Sequence, residues 1–269
     1  PRARPDRPRA APRRRGAPAV APLPRPGGAT WLERGGLCYA LFPRAPGAQL
    51  RRDQLGPREA AAMGAGLAEL HRALADAPAH LAGERALAHR REATLAALAR
   101  YLGLARARGD ALSVRYLEGQ RAYLQALPDD ERGLADLPRQ VIHGDYTEAN
   151  LFFAGGAVSA IIDWDSSYRA PRAWEAVRTL HVVFGFEPAR CRAFLGAYQR
   201  RQPLPLADLD RAAAAYSLAR AHDLWVVEAL FDRGDDRPRR FLGPAGFQPV
   251  APRWAALREA LRAEDRAAR

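Results

Sequence analysis

Two β-prone runs, Leu151 to Ala154 and Val158 to Ile162, flank Gly155-Gly156. Paired glycines between such runs mark a two-residue hairpin, because the tight turn needs positive φ at both central positions. The turn then sets the register. With Ala154 opposite Ala157, Asn150 falls opposite Ile161, and Asp163 shares a sheet face with Ile161 because side chains alternate with period two. Asn150 and Asp163 are therefore expected as diagonal neighbours, roughly 7–8 Å apart at the backbone. Leu151, Phe153, Val158, Ala160 and Ile162 are expected to face a core.

Chemistry follows from what stands at the mouth of this hairpin. Val141-Ile142-His143-Gly144-Asp145 precedes it, and Asp163-Trp164-Asp165 closes it. Two side-chain oxygens converging from Asn150 and Asp163 suit a hard cation such as Mg²⁺, whose ligand distances are about 2.1 Å. In phosphoryl transfer one Asp accepts the acceptor's hydroxyl proton, while an Asn a few residues on and a second Asp hold the metal on the phosphates. Asp145, Asn150 and Asp163 fit those roles in order. Taken singly, His-Gly-Asp reads as a turn and Asp-Trp-Asp as a strand end; the hairpin that joins them is the context that makes a site of them. His143 is expected to brace the loop by hydrogen bonding rather than to move protons. Asp165 either reaches a cationic substrate or is an exposed strand-end carboxylate.

These motifs resemble the aminoglycoside phosphotransferase and choline kinase-like family of small-molecule kinases. Tyr39 to Gly47 is similar to that family's hinge strand and the Pro-Gly turn after it, and Leu67-Ala-Glu-Leu-His71 to its first large-lobe helix. Ala197 to Leu204 loosely resembles the homoserine kinase-like branch. The resemblance covers roughly residues 20 to 235. It implies an α+β, protein-kinase-like two-lobed fold, ATP and Mg²⁺ as cofactors, and adenine contacts from the hinge backbone near Phe42 and Arg44. It also places Glu175 where the family has an Asp that steadies the catalytic loop. Residues 1–19 are expected to form a disordered basic arm, 20–46 a remnant of the N-terminal lobe with the hinge, and 47–269 a mostly helical C-terminal lobe.

One departure bears on the reading. The chain contains no lysine, whereas protein-kinase-like enzymes hold the α- and β-phosphates with a small-lobe lysine beneath a Gly-rich loop. The expectation is a small lobe reduced by truncation, with a nucleotide held another way or impaired turnover as the alternatives. The P-loop of nucleotide-binding proteins is excluded, since it too requires a lysine. Gly64-Ala-Gly66 superficially matches a dinucleotide fingerprint, but no strand precedes it, and helix packing explains it better.

The remaining elements follow from periodicity. Strands are expected near Thr30 to Glu33 and Leu37 to Phe42. Pro57 suits the first position of a helix to about Ala75, with Leu67, Leu70 and Leu74 as its buried stripe. Further helices are expected over Glu84–Arg106, Ala111–Leu127, Arg172–Phe184, Ala189–Arg200, Ala207–Phe231 and Arg253–Ala263, few strands early and many helices late.

The net charge of +12 is unevenly placed, with Arg2, Arg4, Arg7, Arg9, Arg13, Arg14 and Arg15 set against Asp6 alone. Such an arm could attach to nucleic acid electrostatically, but it has no aromatics to stack on bases, and a nucleic-acid partner is not expected. No apolar run approaches the roughly 18 residues of a membrane span, and no apolar segment follows the basic start as a secretory signal would. Cys38 and Cys191 are too few for a disulfide framework, so a cytoplasmic setting is expected. The expected activity is ATP-dependent transfer to a hydroxyl of a small molecule: an aminoglycoside, an amino alcohol or a homoserine-like acceptor. A kinase-like binding protein without turnover and a basic-arm nucleic-acid binder are the alternatives. Asp223, Trp225, Glu228 and Asp232 could line a pocket for an amine, or form a solvated helix face.

Overall fold

A computed structural model describes residues 16–78, 83–84, 90–127 and 137–267. The chain divides into two compact units. The first gathers Pro1–Arg85, Asp136–Ala212 and Glu259–Arg269, and the second Ala86–Ala135 with Ala213–Arg258.

The first unit is built around a helix pair and three small sheets. β1 (Leu32–Arg34) and β2 (Leu37–Tyr39) form an antiparallel ribbon. α1 (Pro57–Leu74) follows, with Pro57 in its first turn and the Glu59 carboxylate accepting from the Gly56 N–H at 2.9 Å. Leu67, Leu70 and Leu74 are buried as the periodicity requires. The short β3 (Gly83–Glu84) lies parallel to β7 (Tyr168–Pro171), which also pairs antiparallel with β4 (Arg139–Ile142). β4 delivers the His143 loop, and the hairpin of β5 (Leu151–Ala154) and β6 (Ala157–Ile161) follows it. Of the arm read as residues 1–19, the first fifteen lie outside the described residues. Pro18 and Ala19 pair with Ile161 along the edge of β6.

α1 packs against α5 (Pro188–Gln199), with Gly64 facing the Phe194 backbone. A Cβ there would stand 2.0 Å from the Phe194 carbonyl oxygen, and one at Gly66 would stand 2.9 Å from the Tyr146 hydroxyl. Gly64 thus marks the helix crossing, and Gly66 lets α1 close on Tyr146 and on Val158 of β6. Gly64→Ala is expected to lower stability by about 1–3 kcal/mol or more, the range for overpacking a close-fitted core, read as a drop in Tm on thermal unfolding. An unchanged Tm would mean that the two helices can part freely.

The second unit is helical. α2 (Arg91–Ala107) and α3 (Ala111–Ala126) pack together, with Asp110 capping α3 through a 3.1 Å bond from the Ser113 N–H. Leu98, Leu102, Leu117, Leu124, Leu230 and Phe247 are among the residues of its core.

Two helix expectations need correction. α2 begins at Arg91 rather than Glu84, which pairs in β3. The helix expected over Ala207–Phe231 is two helices, α6 (Leu206–Ala221) and α7 (Trp225–Phe231). Gln120 donates to the Ala221 and Asp223 carbonyl oxygens, each at 2.9 Å, and Asp223 accepts from the Trp225 N–H. Side chains thus satisfy the backbone groups that a break leaves open. α4 (Arg172–Val182) matches expectation closely, and α8 runs over Val250–Ala267. β7 had no signal strong enough to be expected from a four-residue run containing Arg169 and Pro171.

Candidate active site

The hairpin carries a correction to the expected register. Ala154 does face Ala157, but a bulge at Ser159 places Leu151, not Asn150, opposite Ile161. An extra residue in one strand shifts everything beyond it. Ser159 donates its hydroxyl to the Pro46 carbonyl at 2.7 Å, and Ala48 pairs with Phe153, so the segment after the Pro-Gly turn occupies the hairpin's free edge. Gly47 is needed there, since its φ is +92° and a Cβ would meet the Phe153 carbonyl oxygen at 2.4 Å. Ile161 is buried and Ile162 only partly so, as the shifted register demands.

Asn150 consequently lies in a 3-10 turn, Glu148–Asn150, rather than on a strand. It still reaches the Asp163 strand end, because the Ile162 N–H donates to its backbone carbonyl at 3.0 Å. Asp163 leaves the strand with φ +60° and is exposed. Asp and Asn tolerate this left-handed region better than most residues, and such outliers cluster at functional sites.

The loop from His143 to Asn150 is wired to its surroundings at nearly every residue. His143 is buried; its Nδ1 accepts from the Asp145 N–H at 3.2 Å, which puts the ring proton on Nε2, where it donates to the Ile162 carbonyl at 2.9 Å. Its ring packs 4.8 Å from that of Trp164. The geometry is that of a brace. Gly144 has φ +81°, and a Cβ on it would meet the Ser166 carbonyl oxygen at 2.1 Å. Tyr146 donates its hydroxyl to the Met63 carbonyl at 2.9 Å. Asn150 donates Nδ2 to both the backbone oxygen and Oδ2 of Asp145, each at 2.9 Å.

One face of α4 grips this loop. Glu175, with 1% of its surface exposed, accepts from the backbone N–H of Gly144 at 2.5 Å and of His143 at 3.2 Å. It also takes a 2.9 Å bond from His71 Nε2, whose Nδ1 meets the Tyr198 hydroxyl at 2.8 Å. Burial is the largest influence on Glu175 and pushes its pKa up. The bond from His71, the electrostatic pull of the neighbouring His71 and His143 rings and the Gly144 N–H together outweigh it, so the carboxyl lies below its ordinary value. The extra methylene of Glu over Asp is accommodated. Thr179 donates to the Tyr146 carbonyl at 3.0 Å, and Arg178 pairs with Asp145, Nη2 to Oδ1 at 2.6 Å.

Arg178 was not anticipated. The structure shows why it matters: α4 is buried along nearly its whole length from Ala173 to Leu180, and an arginine inside such a run requires a partner. Gly144, His71 and Tyr198 were also missed as contributors. The site thus brings together Asp145, Asn150, His143 and Glu175. Asp165 is exposed, as are Phe42 and Arg44, and none of the three is hydrogen-bonded to the loop among the described residues.

The oxygens available here fit a hard divalent cation. Asn150 turns its amide nitrogen to Asp145, which leaves Oδ1 unengaged among the described residues, and Asp163 has no hydrogen-bonded or ionic protein partner among them. Two protein oxygen donors suit Mg²⁺, which usually keeps its remaining positions for phosphate and water. Burial raises the Cys191 thiol's pKa, so that residue offers no thiolate. In the second unit, Asp223 pairs with Arg220, and Asp232 with Arg100 and the Tyr101 hydroxyl. These two carboxylates are therefore not open groups awaiting an amine. No helix among the described residues is long and apolar enough to cross a membrane.

A sequence model described as "Phosphotransferase enzyme family" matches residues 10–216. The homoserine kinase of Brucella anthropi is 30% identical over 233 residues, covering 81% of this chain and 67% of the relative. The homoserine kinase of Gluconacetobacter diazotrophicus is 34% identical over 102 residues, 36% of this chain and 31% of the relative. The chain thus spans from about a third to two thirds of these relatives' lengths. Among solved structures, an aminoglycoside phosphotransferase from Alicyclobacillus acidocaldarius superposes with a TM-score of 0.58 at 16% identity, covering 94% of this chain and 77% of the other. An amicoumacin kinase in complex with AMP-PNP and Ca²⁺ superposes with a TM-score of 0.56 at 12% identity, covering 92% and 72%. At such identities the likeness concerns the fold, which is kinase-like, α+β and mostly helical in its larger part.

Proposed function

The chain belongs to the phosphotransferase enzyme family, and from that footing we propose that it transfers the γ-phosphoryl group of ATP to a hydroxyl of a small molecule, of the amino-alcohol or homoserine kind. The observation that carries this reading is the placement of Asp145, a partly exposed carboxylate hydrogen-bonded by Asn150 at the mouth of the β5–β6 hairpin. In this role Asp145 orients the acceptor hydroxyl and takes its proton as the hydroxyl oxygen bonds to the γ-phosphorus and the bond to the departing nucleoside diphosphate breaks. Asn150 Oδ1 and Asp163 would hold Mg²⁺, which when bound offsets phosphate charge. His143 and Glu175 position the loop. The backbone near Phe42 and Arg44 is the proposed adenine contact, by family likeness.

The test is direct. Purified protein with Mg-ATP is offered a panel of amino alcohols, hydroxy amino acids and aminoglycosides, and release of the nucleoside diphosphate is followed together with mass detection of the phosphorylated acceptor. Turnover with one class and its loss in Asp145→Asn is the expected outcome. ATP hydrolysis without a phosphorylated product, or no turnover across the panel, speaks for a second reading, a kinase-like binder without transfer. That reading draws on one observation, the ion pair that occupies Asp145.

A further inference from the structure

Arg178 stands in an arrangement that the loop's architecture does not require. The loop is already held by Glu175 on two backbone N–H groups, by Thr179 on the Tyr146 carbonyl and by Asn150 on Asp145. Arg178 adds a charge instead. Among the described residues its guanidinium bonds to one oxygen of Asp145 through Nη2 alone, while Nη1 is buried with no acceptor. A guanidinium is a fork whose preferred partner supplies two oxygens side by side. The resting pair leaves half of that fork unmet, although an unpaired buried donor is unfavourable.

Access is available. The side chain of Arg178 is 25% exposed and that of Asp145 34%, so a ligand placing its hydroxyl on Asp145 lies beside the guanidinium as well. With Asn150 on Oδ2 and Arg178 on Oδ1, both oxygens of the proposed base are engaged in the resting state. Each oxygen keeps a second lone pair, but a hydroxyl in line for transfer has the least crowded approach once one of these bonds is given up. The bond from Asn150 is fixed by the same amide's grip on the loop backbone, whereas that from Arg178 comes from a long side chain with an unmet donor.

We propose that Arg178 selects acceptors that carry a carboxylate: the substrate's carboxylate replaces Asp145 on the guanidinium fork, and Oδ1 of Asp145 is thereby freed for the acceptor hydroxyl. This deepens the kinase reading and rests on it for the identity of the base. Hydroxy amino acids have both groups within one small molecule. Polycationic aminoglycosides lack the carboxylate and bring positive charge to an arginine, and are disfavoured. An arginine–carboxylate contact of this kind corresponds to about 10- to 100-fold in affinity.

The test uses two acceptors that differ in the carboxylate alone, L-homoserine and 3-aminopropan-1-ol, with the intact chain and with Arg178→Gln and Arg178→Lys. Binding is measured by calorimetry in the presence of Mg²⁺ and a non-hydrolysable ATP analogue, and turnover separately. The expected result is about 10- to 100-fold tighter binding of the carboxylated acceptor by the parent protein, loss of that preference in Arg178→Gln, and partial return in Arg178→Lys. Where turnover is present, the loss should appear in KM for homoserine more than in kcat. Equal binding of the two acceptors by the parent overturns the proposal, as does a Gln variant that weakens both equally or weakens only the nucleotide. A circular dichroism spectrum and Tm matching the parent's exclude misfolding, and the comparison of acceptors on the parent protein stands even if a variant fails to fold. Carboxylate-dependent, Arg178-dependent binding without turnover upholds the proposal while the kinase reading fails. Turnover indifferent to the carboxylate does the reverse.

Discussion

Asp145→Asn is expected to reduce kcat for phosphoryl transfer by about 10²- to 10⁴-fold, the contribution typical of a positioned general base, with the acceptor's KM and the Tm little changed. The substitution is close to isosteric. An asparagine side-chain oxygen can still accept from Arg178 or Asn150, so the loop keeps its arrangement, but the amide takes no proton from a hydroxyl. The ion pair that is lost is partly exposed on both sides, and pairs of that kind contribute at most about 1 kcal/mol to stability. Steady-state kinetics and thermal unfolding on the same preparation separate the two effects. Turnover within threefold of the parent's would falsify the assignment of Asp145 as base.

Glu175 carries the second large effect, and here stability and activity are expected to fall together. Glu175→Ala leaves the His143 and Gly144 N–H groups and His71 Nε2 without their shared acceptor in a fully buried place. Removing one member of such a buried cluster costs about 3–5 kcal/mol, a large part of the roughly 5–15 kcal/mol that stabilises a domain. Glu175→Gln keeps the length and one acceptor oxygen, and should fall between the Ala variant and the parent. The same carboxylate gives a pH dependence. Because its folded-state pKa lies below its ordinary value, its contribution is present in full above the unfolded carboxylate pKa of about 4.3. It is lost as pH falls below that through the folded value. Denaturant unfolding between pH 7 and pH 3 should show a steeper acid loss in the parent than in Glu175→Gln. Parallel curves would mean that the cluster does not depend on the charge.

How much of this was legible in the residues depended on the range of the forces involved. α1 announced itself through Pro57 and the Leu67, Leu70 and Leu74 stripe, since local sequence and one buried face determine a helix start and orientation. The β5–β6 turn was equally readable from Gly155-Gly156. The register beyond it was not, because the bulge at Ser159 is tied to Pro46, more than a hundred residues away in the chain. The break before α7 has the same origin, a carbonyl clamp supplied by Gln120 from another helix. Asp145, Asn150, His143 and Glu175 could be found by motif because their spacing is short or their family context strong. Arg178 has neither signal, and its pairing with Asp145 emerges only once α4 is laid across the loop.

The clasp of α4 on this loop has an evolutionary corollary. Glu175, Arg178 and Thr179 each meet the loop because one turn of helix takes about 3.6 residues, so the helix works as a vernier whose marks align with Gly144, Asp145 and Tyr146 all at once. A point change along it disturbs one mark at a time. A one-residue insertion or deletion in its first turn would rotate every later mark by about 100°, undoing the backbone clasp, the charge on Asp145 and the Tyr146 tie in one event. In descendants of this sequence, length variation should therefore collect in the connections on either side of Arg172–Val182 and be excluded from the stretch between Pro171 and Thr179.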